Sequence, residues 1–208
     1  MSSSSFISNK IIMRRLLHTV KKIWYLPSEY TKLTYIQSSW TQRINTLIKL
    51  CSDDVVETEF ANVSASWYWA VYWVYQTWQS SAFYANWTYY WYDAINTKVN
   101  TGVSVDTNRH VVEHSFPWWT ITLDGNATNF TPFVFSNTVN NYIFSRYYNG
   151  SYWYNLSGKI KWFKVTRNWQ IILDMIPVKR NSDDVIWMFD KVSWTFFENI
   201  GTWDFTWE

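Results

Sequence analysis

The chain reads as an all-β sandwich, and three observations predict it. Short segments alternating apolar with polar residues recur past residue 30, as strands with one wet face require. Turn signals separate them roughly every 8–12 residues, the spacing of sandwich strands. No helical period is sustained in the body, and no strand–helix–strand spacing appears. At 208 residues and 48% hydrophobic, the chain can bury a substantial core as one domain. Its formal charge is +2 and only 16% of residues are charged, so there is no basic field that would predict nucleic-acid binding.

The elements follow in order. Val55 to Phe60 alternates Val56, Thr58 and Phe60 with Glu57 and Glu59. Tyr68 to Tyr75 and Ala82 to Tyr92 are aromatic strands, the second broken by a turn near Asn86-Trp87. After the turn residues Asp106-Thr107-Asn108, Arg109 to His114 alternates again. Thr120 to Leu123 meets Asp124-Gly125, a hairpin signal. Asn141 to Arg146 reads as a strand and 147–151 as a loop. Gly158 to Thr166 pairs with Gln170 to Ile176 across Arg167-Asn168-Trp169, and Pro177 marks an edge or a strand end. Val185 to Phe189 and Thr195 to Phe197 close the body. Residues 26–208 show no internal linker. Residues 1–25 are expected to be a basic arm, disordered or a short helix, carrying Arg14, Arg15, Lys21 and Lys22. Leu16-Leu17 is too short for a signal-peptide core, and no apolar run approaches a membrane span.

One compositional inversion bears on any functional reading: Trp 17 against Gly 5. Average usage near 7% would give roughly fifteen glycines. Tryptophan stands at turn sites such as Ser39-Trp40-Thr41, Asn86-Trp87-Thr88, Asn168-Trp169-Gln170, Ser193-Trp194-Thr195 and Thr202-Trp203-Asp204. Turns often need positive φ, which glycine supplies and a bulky side chain resists.

Two stretches carry a family resemblance. Leu26-Pro27-Ser28-Glu29-Tyr30-Thr31-Lys32-Leu33-Thr34-Tyr35-Ile36-Gln37-Ser38-Ser39 resembles the opening of concanavalin A-like, laminin-G-like domains of phage, prophage and bacterial surface proteins. The run from Gly158-Lys159-Ile160 through Asp174 to Arg180, Val185 to Asp190 and Thr195 to Phe197 is similar to their C-terminal part. Thr101-Gly102-Val103 and Arg109 to Glu113 also fit. The resemblance implies a concanavalin A-like jelly-roll β-sandwich over 26–208 and a virion or bacterial cell-surface location. The partners it implies are a cell-surface glycan or other structural proteins. In such domains the positions matching Trp40, Trp87, Trp169, Trp187, Trp194 and Trp203 are typically glycine. Replacement of one residue type by one other at repeated turns implies UGA codons that mean glycine in the source genome, here read as tryptophan.

The binding candidates are aromatic, because rings stack on sugar faces while amides and hydroxyls supply hydrogen bonds. They are Tyr89, Trp91 and Tyr92, and the loop set Tyr147, Tyr148, Asn149, Trp153 and Tyr154. Alternate members of the same strands would equally serve as core, and the loop set is the better recognition surface. Asp53, Asp54, Asp106, Asp124, Asp183 and Asp184 are candidate calcium ligands, read first as turn caps or solvated groups. Glu57 and Glu59 share a strand face but belong to no longer acidic motif of the glucanase kind. His18, His110 and His114 have no metal spacing with an acidic partner, and Cys51 is alone, which leaves no disulfide framework. Six Asn-x-Ser/Thr triplets occur and read as turn chemistry. The expectation is a non-catalytic structural or adhesion module without cofactor. The carbohydrate-binding form stands beside a purely structural form that makes protein–protein contacts.

Overall fold

The computed structural model describes residues 25–62, 69–76, 79–86, 88–94, 97–131, 133–148, 150–153 and 155–207. The expected arm (1–25) lies almost wholly outside them, as do Trp87, Asn149 and Tyr154. In chain order the first strands are β1 (Tyr30–Lys32), β2 (Ile36–Ser39), β3 (Ile44–Asn45), β4 (Asp54–Asn62), β5 (Trp69–Gln76), β6 (Gln79–Asn86) and β7 (Tyr89–Ala94). Next come β8 (Thr97–Ser104), β9 (Arg109–Ser115), β10 (Thr120–Leu123), β11 (Asn126–Asn129), β12 (Tyr142–Ile143), β13 (Arg146–Tyr148) and β14 (Ser151–Trp153). The last are β15 (Ser157–Arg167), β16 (Gln170–Arg180), β17 (Ile186–Asp190), β18 (Phe196–Phe197) and β19 (Thr206–Trp207).

These strands form two sheets, as the expected all-β sandwich requires. The larger runs β11-β10-β9-β4-β15-β16-β17-β18, with β1 beside β16 and β2 between β15 and β19. The smaller runs β14-β13-β5-β6-β7-β8, with β12 joining β5 to β3. The inward residues of both sheets make one core: Val56 and Phe60 of β4 and Ile160, Phe163 and Val165 of β15 face Tyr72, Phe83, Tyr90 and Tyr92 of the smaller sheet. A second cluster, Ile176, Val178 and Phe189, lies apart from that core and is covered by Leu26, Tyr30, Trp162, Trp187 and Phe196. Such burial is the main stabilising term of the fold.

β15 organises the larger sheet. One side pairs with β4 along its length; the other pairs with β2 over Ser157–Ile160 and with β16 over Phe163–Arg167. The β15–β16 hairpin therefore opens into a wedge, which β2 and β1 fill, β1 pairing with Val178, Lys179 and Arg180. Pro177, expected at an edge or a strand end, is not at a strand end. It lies inside β16 where that strand's neighbour changes from β15 to β1, so its missing N–H falls beyond the last β15 pair, Phe163↔Met175. The segment 147–151, expected as a loop, is largely the β13–β14 hairpin. The expected strand 141–146 is interrupted at Phe144, whose φ is 67°.

Arg167 and Asp54 lock the β4–β15 register. The guanidinium donates Nε to Asp54 Oδ1 at 2.7 Å and Nη2 to Oδ2 at 2.8 Å. Nη2 also donates to the Lys49 carbonyl, and Oδ2 accepts the Cys51 N–H. Asp54 is fully buried, and its hydrogen bonds raise the Arg167 pKa further above the ordinary range.

The tryptophan turns divide. Trp40 has φ 146°, Trp169 65° and Trp194 64°, whereas Trp187 and Trp203 are not among the positive-φ residues. Trp187 instead packs against Tyr30 and Phe196. Trp119, not singled out in the sequence, has φ 55°. At Asn168-Trp169 both residues have positive φ (48° and 65°), which is the type I′ hairpin geometry that favours Asn-Gly. The Asp124-Gly125 turn has the same signs (51° and 82°) with glycine in place.

Two outcomes are expected in urea denaturation. Trp169→Gly gains about 1–2 kcal/mol, because the left-handed penalty is removed from a residue that is 85% exposed. Arg167→Met loses about 3–5 kcal/mol by stranding the buried Asp54 carboxylate, and adding Asp54→Asn recovers part of the loss.

Candidate functional site

The bulge in β15 builds the principal surface feature. Ile160 pairs with Phe60 and Trp162 with Glu59, leaving Lys161 as the extra residue. The phase of β15 shifts there: Gly158 and Ile160 point inward before it, and Phe163 and Val165 after it. Lys161 and Trp162 both line hollows on the outer face, beneath the Leu33–Tyr35 bend between β1 and β2. Two hollows, of about 540 and 670 Å³, meet at Thr34 and Lys161 to form one trough.

Charge interleaves along it. Six cations line the trough, Lys32, Arg109, Lys159, Lys161, Lys164 and Lys191. Three carboxylates do so, Glu57, Glu59 and Asp174. Glu59 was expected on a wet face but is only 7% exposed. It is held by Lys161 at 3.2 Å and Arg109 at 3.5 Å, and accepts the Trp162 indole N–H. Glu57 pairs with Lys164, and Asp174 with Lys191 at 2.5 Å. The two glutamates are thus charge-paired wall residues. Lys159 donates to the Tyr35 hydroxyl at 3.1 Å and lies 4.4 Å from that ring's centre. Trp162 likewise has Lys164 above it at 5.9 Å. Of the rings lining the trough, Tyr35 and Trp162 thus each have a lysine within cation–π range, and Phe60 is a core residue.

At the β9 end, His110 joins two turns. Its Nδ1 meets Asp124 Oδ2 at 2.5 Å and its Nε2 meets Asp106 Oδ1 at 2.8 Å. Burial raises the Asp106 carboxyl, but hydrogen bonds from His110 and Asn108 outweigh it and hold the group below its ordinary range. Of the other acidic candidates, Asp54 is engaged by Arg167, Asp183 by Arg180 and Asp184 by Lys179, while Asp53 is exposed. Among the described residues no three His, Cys, Asp or Glu side chains converge on a metal-sized site.

The aromatic candidates fall in separate places. Tyr147 and Tyr148 are on β13 and Trp153 on β14, while Tyr89, Trp91 and Tyr92 are on β7. Two strands, β5 and β6, separate β13 from β7, a gap of about 14 Å at the usual interstrand spacing. Tyr147 stacks on Tyr142 at 5.2 Å and tilts against Tyr152. Tyr148 has the Arg146 guanidinium over its ring at 5.1 Å. Trp91 packs on Ala70, Trp73, Ala82 and Tyr84, and Tyr92 is core. Tyr89 (36%) and Trp153 (56%) keep substantial exposure. The trough was missed in the sequence. Its one local signal was the three-residue step from Ile160 to Phe163, where a regular strand would step by two.

No protein-family model matches the chain, and no curated protein matches it. Among solved structures it is similar to domains LG4-5 of the mouse laminin alpha1 chain, at 12% identity and a TM-score of 0.47. The match covers 81% of this chain and 50% of that one, so this chain spans about half its length. No described helix is long and apolar enough to cross a membrane.

His114 is fully buried and belongs to the core. The Tyr72 hydroxyl lies 2.5 Å from Nδ1, Nε2 has no hydrogen-bond partner among the described residues, and Tyr92, Phe116 and Phe130 surround the ring. Burial holds its pKa well below 6.5. Below that value the unfolded chain takes up a proton that the folded chain refuses. This contribution is therefore intact above pH 6.5 and is lost on acidification, at up to about 1.4 kcal/mol per pH unit. Urea denaturation between pH 7 and pH 4 should show a shallower acid slope for His114→Phe than for the parent chain.

Proposed function

We propose that this chain is a non-catalytic structural module of a phage, prophage or bacterial-surface assembly, acting through protein–protein contacts without a sugar ligand. One observation carries the reading: two hollows meet in a trough of interleaved charges, with Lys159 and Lys164 within cation–π range of its Tyr35 and Trp162 rings. Sugar stacking needs open ring faces flanked by amides. A protein surface instead meets such a trough through charge complementarity. The candidate rings add support, since Tyr147, Tyr148 and Trp91 are engaged by neighbouring side chains and lie at two stations of the smaller sheet.

The carbohydrate-binding form of the module keeps one specific point in its favour, the exposed indole of Trp153. A glycan array probed with the purified chain distinguishes the two. The expected result is no glycan retained above background. Retention that disappears in Trp153→Ala or Tyr89→Ala would overturn the assembly reading.

The same reading includes the identity of the turn residues. Trp40, Trp169 and Trp194 occupy backbone conformations that favour glycine, which supports decoding of UGA as glycine in the source. Peptide mass spectrometry on protein from its native source is expected to find glycine at these three positions. Tryptophan there would refute the recoding.

A further inference from the structure

The two hollows of the trough differ in how their charges are met. In the larger, Lys164 pairs with Glu57 and Lys191 with Asp174, cation to carboxylate. The smaller is built on a row of residues across four strands of the outer face. Arg109 of β9 is opposite Ala61 of β4, Ala61 is opposite Lys159 of β15, and Lys159 is opposite Gln37 of β2. Arg109 and Lys159 therefore stand two strand spacings apart, roughly 10 Å, with only a methyl side chain between them.

Glu59 lies beside that row, two residues before Ala61 on the same face. Its Oε1 meets Lys161 at 3.2 Å and Arg109 Nε at 3.5 Å, and its Oε2 accepts the Trp162 indole N–H. The Glu59 side chain is only 9% exposed, against 68% for Arg109 and 40% for Lys161. The carboxylate is committed at the floor while its two partners reach solvent. A guanidinium carries five N–H donors and an ammonium three. Among the described residues Arg109 and Lys161 have no acceptor besides Glu59, so the Arg109 fork is left for a second one.

We propose that this hollow receives an Asp or Glu carboxylate from an extended acidic segment of a partner protein, held by Arg109 and Lys161 above Glu59. Charge selects the group. Two cations and one carboxylate leave a single positive charge, which one carboxylate cancels, whereas a doubly charged phosphate would bring a second negative charge over Glu59. Shape agrees, because the open Arg109 fork suits a planar carboxylate bidentately. The space also fits a segment better than a free small acid. The hollow of about 540 Å³ runs into its neighbour at Thr34 and Lys161, so a chain seated by one carboxylate has room to continue.

This proposal rests on the assembly reading and assigns the partner's chemistry at one hollow. Fluorescence anisotropy of the full chain with fluorescein-labelled hexaglutamate at about 50 mM salt tests it. The parent chain is expected to bind the peptide, and Arg109→Gln to bind it about tenfold more weakly. Lys98→Gln removes the same charge from β8, away from both hollows, and is expected to match the parent. Ala61→Met fills the floor of the row without changing any charge and is expected to weaken binding by a similar factor. Circular-dichroism melts check that each variant is folded; if Ala61→Met is not, the two glutamine variants still decide. No binding by the parent would overturn the proposal, and so would equal weakening in Arg109→Gln and Lys98→Gln, since binding would then follow net charge. Full binding by a folded Ala61→Met would remove the seat from this row. At matched ionic strength inorganic phosphate is expected to displace the peptide no better than acetate, and stronger displacement by phosphate would overturn the choice of carboxylate. Each of these failures leaves the assembly reading standing; glycan retention on the array is the separate result that would remove it.

Discussion

The Asp54–Arg167 pair is the constraint on which the larger sheet depends. The two residues face each other at the end of the β4–β15 ladder, and β4 and β15 are its central strands. A carboxylate with no solvent exposure is tolerable only with its charge met and its lone pairs filled. Arg167 meets it bidentately and the Cys51 N–H adds a third hydrogen bond, so the segment before β4 is drawn in by the same group. The Asp54 carbonyl accepts the Phe116 N–H, which ties the end of β9 to the same point. Sliding either central strand by one residue would separate the pair and turn the inward residues of that strand outward.

That fixed register gives the outer face its shape. With Val56, Thr58 and Phe60 committed to the interior, Glu57 and Glu59 face outward opposite Lys164 and Lys161. The bulge then places Lys161 and Trp162 together where regular alternation would have sent one of them inside. The hollow beneath the Leu33–Tyr35 bend exists because β15 and β16 diverge and the chain entering the sheet fills the wedge. Core packing, strand register and trough geometry are therefore consequences of one arrangement.

The body strands were legible wherever side-chain alternation was strong. β4, β9 and β10, with their inward Val56, Val112 and Ile121, and the Asp124-Gly125 hairpin follow directly from local pattern. Strands with little apolar content were not legible. β2 offers only Ile36, and β8 reads as polar apart from Val99 and Val103. The β13–β14 hairpin was hidden by Tyr, Asn, Gly and Ser, which equally describe a loop. The trough was out of reach for a different reason. Lys32, Arg109, Lys159 and Lys191 come from four distant parts of the chain, and no spacing rule brings them together. The aromatic candidates show the converse: residue type marked them, but the company each ring keeps depends on neighbours such as Tyr142 and Arg146.

The neighbour change at Pro177 also governs how force would enter this domain. β1 holds the sheet by three paired positions, by the Leu33 N–H on the Pro177 carbonyl, and by the Tyr30 ring against Phe196 at 4.2 Å. None of these belongs to the β15–β16 or β16–β17 ladders. Tension arriving from residues before Tyr25 reaches this strip first. Peeling it away uncovers the small cluster around Ile176 and Val178 and draws one residue, Leu33, out of the two-sheet core. A tether attached at that end would thus pull on a sacrificial fastening, which can give way and re-form while the sandwich behind it stays folded.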